Sequence, residues 1–265
     1  MLRIFRTLRQ RLLTENKFSK FLLYAVGEIL LVVIGILIAL QVDNWNEERR
    51  ENDQIRAQLA NLLRDLNNDR AGLQQLRSFH AFRVHAANYL LDQYSSIEKV
   101  IPYPEAGPPP ELDQGGIFGG KIPDSYDKDF VVRAFSWLVR LNTIGPATEA
   151  IDEFKSTGLY AIYVNHETKD KIRGYYAGYG FAFSDREGEA YSIILKNTLA
   201  SNGYSYLDIA LLDNPIEELL SIPSIAALLK NIIDESTFRS NRASFLIENL
   251  EELILEMESE INQEA

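Results

Sequence analysis

The stretch that decides the fold runs from Phe21 to Leu40 and reads FLLYAVGEILLVVIGILIAL. Its 20 residues contain a single charged side chain, Glu28. At about 1.5 Å of rise per residue, a helix of this length matches a hydrocarbon core of roughly 30 Å. A core helix of a soluble protein rarely lacks polar positions over a run as long as residues 29–40. The stretch therefore predicts a membrane-spanning helix over residues 21–42.

A cleavable signal peptide is the alternative interpretation of this stretch. The apolar region of a signal peptide spans about 7–15 residues and ends in a site of the A-x-A type. Here the run is longer and is followed by Ala39-Leu40-Gln41-Val42-Asp43, which fits such a site poorly. We therefore expect an uncleaved signal anchor, with Tyr24 and Trp45 at the two membrane interfaces.

Charge on the two sides of the span predicts its orientation. Residues 1–20 contain six basic residues and one acid, whereas the whole chain has a net charge of −11. Because basic flanks stay in the cytoplasm, we expect the C-terminal part of the chain to be periplasmic. Leu2, Phe5, Leu8 and Leu12 recur at helical spacing between arginines, which favours a basic amphipathic segment over residues 1–20. A basic tail that only orients the anchor is the alternative.

Residues 8–50 resemble the N-terminal signature of an uncharacterised family of bacterial single-span membrane proteins. The resemblance is carried by R-Q-R-L-L-T-E-N-K-F-S-K at residues 9–20, G-E-I at residues 27–29 and N-W-N-E at residues 44–47. A weaker similarity covers residues 151–176, where Phe154-Lys155-Ser156-Thr157-Gly158 corresponds to the family's L-x-S-S-G segment. The resemblance implies a location in the bacterial inner membrane and a helical domain outside the cytoplasm. It implies no activity and no cofactor.

Two features of the span suggest contacts within the membrane. Glu28 is an ionisable residue in an apolar run, where it extends to the headgroups, pairs with a partner helix or takes part in proton-linked work. Small or apolar residues also recur at every fourth position: Gly27, Leu31, Gly35 and Ala39. This face favours self-association, because small residues let helix backbones approach closely, although glycine and alanine are common in spans. The expected partners are the membrane, a second copy or another membrane protein.

A long membrane-proximal helix is predicted over residues 43–100. From Asn46 to Glu98 the chain has no proline and one glycine, Gly72, a candidate for a kink. Apolar residues recur there in mostly 4–3 spacing, which is typical of a helix with heptad character. They are Ile55, Leu59, Leu62, Leu66, Leu73 and Leu76, and Phe79, Phe82, Ala86, Leu90 and Tyr94 continue the pattern on a drifting face.

The remainder is predicted to be a loop over residues 101–124 and a helical region over residues 125–265. The loop holds six of the nine prolines and five glycines. Helix starts are expected at Pro146, after Asn165, at Pro215 and at Pro223, with stops at Gly158 and near Ser201. Two short runs look like strands, Leu159–Val164 and Tyr204–Leu212.

The predicted fold class is therefore all-α. One N-terminal transmembrane helix precedes an extracytoplasmic helical bundle, whose long first and last helices we expect to pack antiparallel. The last helix runs from Ser224 to Ile261 without proline or glycine, and it ends in an acidic segment. Such a segment either docks a basic partner or forms a solvated face.

Composition argues against several kinds of site. The acidic balance, 27 Lys and Arg against 38 Asp and Glu, disfavours nucleic-acid binding. The chain has no cysteine, and two of its three histidines, His80 and His85, are five residues apart, which places them on different helix faces. Residues 65–69, DLNND, begin like a calcium loop, but the required glycine and glutamate are missing, which favours a solvated helix face. No metal or cofactor is expected.

The densest aromatic segment, residues 175–183, contains five aromatic residues. Tyr175, Tyr176, Tyr179 and Phe183 either line a ligand groove or pack between helices, and helical spacing favours packing.

Three functions fit the sequence. The first is a non-enzymatic sensing or scaffolding protein, which forms a homo-oligomer. The second is a subunit of a transporter or a proton-linked machine that uses Glu28 against a partner helix. The third, an envelope enzyme, has no catalytic motif in its favour.

Overall fold

The computed structural model describes residues 17–94, 110–112, 116–142, 144–183 and 187–263. Every regular element in these ranges is helical, which confirms the all-α prediction for this part of the chain. The chain divides into two compact units, Met1–Ala57 and Gln58–Ala265. Most of the predicted basic amphipathic segment and half of the proline-rich loop lie outside the described ranges.

Helix α1 spans Lys17–Gln93 and contributes residues to both units. In the first unit, the large apolar side chains between Ile29 and Leu40 are 46–73% exposed. This segment is long and apolar enough to cross a membrane, by length and composition.

The second unit buries the predicted stripe of helix α1. Leu59, Leu62, Leu66, Leu73 and Leu76 are each at most 3% exposed. The drifting aromatic continuation of this stripe is buried as well, and it joins a core made with the later helices. The 4–3 spacing therefore predicts the buried face of α1 correctly.

Seven further helices follow in the part of the second unit that the structure describes. They are α2 (Lys128–Leu138), α3 (Glu149–Ser156), α4 (Leu159–Ile162), α5 (His166–Phe183), α6 (Glu187–Ser201), α7 (Pro215–Leu220) and α8 (Pro223–Gln263). The two strand-like runs contain a helical turn, α4, and a 3-10 turn over Ile209–Leu211. Neither run forms a strand, in agreement with the all-α prediction.

Turn chemistry predicts several helix boundaries correctly. Gly158 follows α3 with a φ of 79°, a left-handed conformation that glycine adopts without strain. The side-chain oxygen of Asn165 accepts a hydrogen bond from the N–H of Thr168 at 3.1 Å and caps α5. Helices α7 and α8 begin at Pro215 and Pro223.

The predicted start of α3 at Pro146 is wrong, because the helix begins at Glu149. Side chains from other helices bind the backbone just before it. The N–H of Ala147 donates to Asp69 at 2.8 Å, and its carbonyl accepts from the Tyr176 hydroxyl at 2.9 Å. Both backbone polar groups of Ala147 are thus bonded to side chains of other helices.

Helix α8 packs against α5 and α6, and it also contacts α1. The Ser240 hydroxyl donates to the carbonyl of Arg77 at 3.1 Å, and Nδ1 of His80 lies 3.4 Å from Ser236 Oγ. From Arg77 to His80 the residue number on α1 increases, whereas the number of the partner on α8 decreases from Ser240 to Ser236. Antiparallel packing requires this order.

Two glycines one turn apart in α5 form a matched pair for testing its packing. A Cβ at Gly178 would lie 3.0 Å from Cδ2 of Leu246, whereas a Cβ at Gly174 would meet nothing within 4 Å. We expect Gly178→Val to lower the free energy of unfolding by about 1–3 kcal/mol through overpacking. Gly174→Ala should raise it by about 0.5–1 kcal/mol, since alanine is the better helix former. Denaturant unfolding followed by circular dichroism measures both, and equal destabilisation would contradict the close approach of α5 and α8.

Candidate functional site

The residues predicted to make membrane contacts lie on helix α1 in the first unit. Glu28 is exposed, and so are the four residues of the predicted association face: Gly27, Leu31, Gly35 and Ala39. A Cβ added at Gly27 or Gly35 would meet nothing within 4 Å, so this face has room for another helix. Trp45 is exposed, and Tyr24 lies in the same helix. The roles of all these residues remain predictions.

The aromatic residues of α5 contact one another. Tyr175 and Tyr179 are buried, while Tyr176 and Phe183 are half-buried. Ring centres lie 5.1 Å apart for Tyr175–Tyr176, 6.2 Å for Tyr175–Tyr179 and 5.2 Å for Tyr179–Phe183. These distances are typical of aromatic packing, so the arrangement favours helix packing over an open ligand groove.

Asp69 of α1 is a buried acid at the centre of these tyrosines and is 7% exposed. Its Oδ1 accepts a hydrogen bond from the N–H of Ala147 at 2.8 Å, and its Oδ2 accepts one from the Tyr175 hydroxyl at 2.8 Å. One turn earlier, Oδ2 of Asp65 accepts from the N–H of Ala150 at 3.1 Å. Ala150 lies in the first turn of α3, where N–H groups lack partners within the helix, so Asp65 supplies the missing acceptor.

Burial dominates the electrostatics of this cluster. It raises the pKa of Asp69 above the ordinary value of 3.8, although the hydrogen bonds from Ala147 and Tyr175 act in the opposite direction. Burial, followed by the charge of Asp69, also raises the pKa values of Tyr175, Tyr176 and Tyr179. The tyrosine hydroxyls therefore stay protonated at neutral pH and act as hydrogen-bond donors.

The prediction that residues 65–69 form a solvated face is wrong for Asp69, because its carboxylate is buried and bonded. A signal for this was present in the sequence. Asp69 stands between Leu66 and Leu73, at the position that completes the 3–4 spacing of the buried stripe. An acid in a core position needs hydrogen-bond partners, but the spacing does not say which residues provide them.

A second group of buried polar side chains lies among α1, α6 and α8. Arg83 donates to the Ser192 hydroxyl at 2.5 Å, and His80 lies beside Ser236. Burial lowers the pKa of His80 well below its ordinary value, and the charges of Arg83 and Arg239 lower this pKa further. His80 is therefore neutral at neutral pH.

The acidic end of α8 is partly engaged with the start of α5. Glu256 accepts hydrogen bonds from the Thr168 hydroxyl at 2.7 Å and from Lys171, and Glu260 accepts one from the Tyr163 hydroxyl at 2.6 Å. Burial would raise the pKa of Glu256, but the hydrogen bonds from Lys171 and Thr168 outweigh it and lower this pKa. These two acids hold helices together, whereas neighbours such as Glu252 are exposed.

The arrangement around Asp69 can fix three parts of the chain relative to one another. It joins α1, α5 and the segment before α3 through a carboxylate that accepts from two donors. Within the described ranges, no group of three or more His, Cys, Asp or Glu residues is placed to hold a metal ion. The cluster is thus a cross-helix hydrogen-bond network.

The sequence model of a family of unknown function (DUF6090) matches residues 28–102. The matched range contains Glu28, Asp69 and most of helix α1. The match agrees with the expected similarity to an uncharacterised family, and it assigns no activity. The chain matches no curated protein and no solved structure.

Removal of the Asp69 carboxylate tests the network. We expect Asp69→Leu to lower the free energy of unfolding by about 2–5 kcal/mol, because the N–H of Ala147 and the hydroxyl of Tyr175 lose a buried acceptor. Asp69→Asn keeps one acceptor oxygen for the N–H of Ala147, turns its NH2 group towards the Tyr175 hydroxyl and removes the buried charge. This variant should therefore lose less stability than Asp69→Leu. Denaturant unfolding measures the loss of stability in the two variants. Equal losses of unfolding free energy would contradict a role of Asp69 based on hydrogen bonding.

The raised pKa of Asp69 predicts the direction in which the stability of the chain changes with pH. The pKa of Asp69 is higher in the folded chain than in the unfolded chain, so the folded state binds the proton more tightly. Relative to Asp69→Asn, the wild-type chain should lose stability as the pH rises from 3.8, the ordinary aspartate pKa, through the raised pKa of the folded state. Unfolding curves of both proteins from acidic to neutral pH measure this difference. A difference of opposite sign would contradict the raised pKa.

Proposed function

We propose that the chain is a single-pass membrane protein whose second unit lies outside the cytoplasm and acts as a non-enzymatic scaffolding or sensing domain. The exposed apolar surface of helix α1 carries this proposal. Between Ile29 and Leu40, large apolar side chains point in all directions around the helix, and each is close to half exposed or more. Hydrocarbon accommodates such a surface, and a helix satisfies its own backbone hydrogen bonds there.

Flanking charge supports the orientation. Residues 1–20 are strongly basic, whereas the segment after the span, from Asp43 to Asp53, has more acids than basic residues. This asymmetry favours a cytoplasmic N-terminus in the inner membrane.

The contacts of the second unit support a scaffolding or sensing role. Asp69, His80 and Arg83 have side chains that serve catalysis in other proteins, but here they bond to side chains or backbone of other elements. Such contacts hold helices in one register and so keep a surface constant for a partner. The open face at Gly27 and Gly35 further supports association with a second copy through the span.

Membership of a larger envelope complex is the second candidate, favoured by the exposure of Glu28. This acid lies among the apolar side chains of Ala25, Ile29 and Val32 on the helix surface. A carboxylate at this depth is costly unless it reaches the headgroups or meets a partner group. A basic or protonatable residue on a neighbouring helix would offset that cost.

The orientation predicts the outcome of a reporter fusion. A reporter that is active only outside the cytoplasm, fused after Ala265, should be active in cells. The same reporter fused before Met1 should be inactive, which provides the matched control. Activity of the N-terminal fusion alone would reverse the proposed orientation.

Two substitutions in the span separate its proposed contacts. Gly35→Leu should weaken self-association several-fold, because it places a bulky side chain where close helix approach is proposed. Glu28→Gln keeps the shape but removes the charge, so it should lower recovery of a membrane partner if Glu28 pairs with one. Crosslinking in membranes and co-purification in detergent measure these effects, and Leu37→Ile is a conservative control on the same helix. If self-association and partner recovery are unchanged in both variants, the span serves only as a membrane anchor.

A further inference from the structure

A cluster of aromatic residues around one arginine lies on the surface where α5 meets α8. The guanidinium carbon of Arg242 lies 5.2 Å from the ring centre of Phe181 and 5.4 Å from that of Phe238. These two rings are 6.2 Å apart and inclined at 72°. Phe245 follows Arg242 by three residues, about one turn along α8. We call these four residues the aromatic–arginine patch.

The patch exposes more aromatic surface than the inner face of α5 does. Phe181 is 67% exposed and Phe245 is 52% exposed, while Tyr175 and Tyr179 on the inner face of α5 are almost fully buried. Single exposed apolar residues are ordinary on a protein surface. Here the exposed Phe181 contacts a half-buried arginine, and the exposed Phe245 lies about one turn along α8 from that arginine. Aromatic residues and arginine are enriched at the energetic centres of protein interfaces.

Arg242 contacts two aromatic rings, and it has no acceptor among the residues that the structure describes. Cation–π contact with the two rings leaves the N–H donors of the guanidinium available for a planar carboxylate. Within the described ranges, Arg242 makes no hydrogen bond or ion pair, whereas Arg173 pairs with Asp170 and Arg239 pairs with Glu235. The chain contains 38 Asp and Glu residues, so carboxylates that could accept from an arginine are common in it.

We propose that the aromatic–arginine patch docks an acidic segment of another protein, one that presents a carboxylate flanked by large apolar side chains. The carboxylate bonds to Arg242, and the apolar side chains cover Phe181 and Phe245. Charge complementarity selects the carboxylate, since the patch offers a cation and no acid. This inference concerns the second unit and does not depend on the membrane orientation proposed above.

Binding of a defined peptide tests the proposal. The probe is a labelled amphipathic peptide of Glu, Leu and Ala residues, and the matched peptide has Lys in place of Glu. The full chain is held in neutral-lipid nanodiscs, and fluorescence anisotropy gives the dissociation constant. We expect the Glu peptide to bind and the Lys peptide to bind at least about tenfold more weakly. Arg242→Ala and Phe181→Ala should each weaken binding of the Glu peptide by about tenfold.

Arg173→Ala is the matched control, because Arg173 is an exposed arginine of α5 that already pairs with Asp170. It should leave binding unchanged, and circular dichroism should show that all variants remain helical. Equal binding of the two peptides, or unchanged binding by Arg242→Ala, would overturn the proposal. Self-association that depends on Arg242 would assign the patch to a second copy, and adhesion to anionic vesicles that depends on Arg242 would assign it to a membrane. Either result also overturns a separate protein partner.

Discussion

The apolar surface of the first part of helix α1 is the constraint on which the rest of the account depends. In the part of the chain that the structure describes, ten large apolar side chains between Ile29 and Leu40 are each 46–73% exposed. Moving one such side chain from water to an apolar environment contributes about 1.5–3 kcal/mol. An ionisable residue at the centre of a membrane helix costs about 2.5–3.5 kcal/mol, so Glu28 cannot outweigh the run. This balance supports the proposal that the segment partitions into lipid.

The second unit combines an apolar core with a few polar contacts between distant segments. Apolar faces of helices tolerate small shifts of register, whereas a carboxylate such as Asp69 is satisfied only where its two donors meet it. The same applies to Glu256 and Glu260 at the other end of α5. These contacts give the unit one defined surface, which supports the proposed scaffolding or sensing role. The aromatic–arginine patch lies on that surface.

The sequence predicts features that depend on neighbouring residues. The apolar run, the buried stripe of α1, the left-handed Gly158 and the proline starts of α7 and α8 all follow from local spacing and backbone preference. Features that depend on distant residues were missed. Asp69 bonds to residues 78 and 106 positions away, and the start of α3 moves because of such contacts. Spacing places Asp69 in the core, but only tertiary structure identifies its partners.

The central claim is that helix α1 crosses a bilayer, and accessibility of spin labels along it is the most direct measurement. The chain has no cysteine, so single cysteines can be placed at successive positions from Ala25 to Ala57 and labelled with a nitroxide. In reconstituted membranes, we expect labels at residues 29–40 to be accessible to oxygen and shielded from a water-soluble nickel complex at every position. Labels at residues 47–57 should show the reverse. A contradictory result is an accessibility that alternates between oxygen and the nickel complex across residues 29–40 with the period of a helix. That pattern would show a helix lying on the membrane surface.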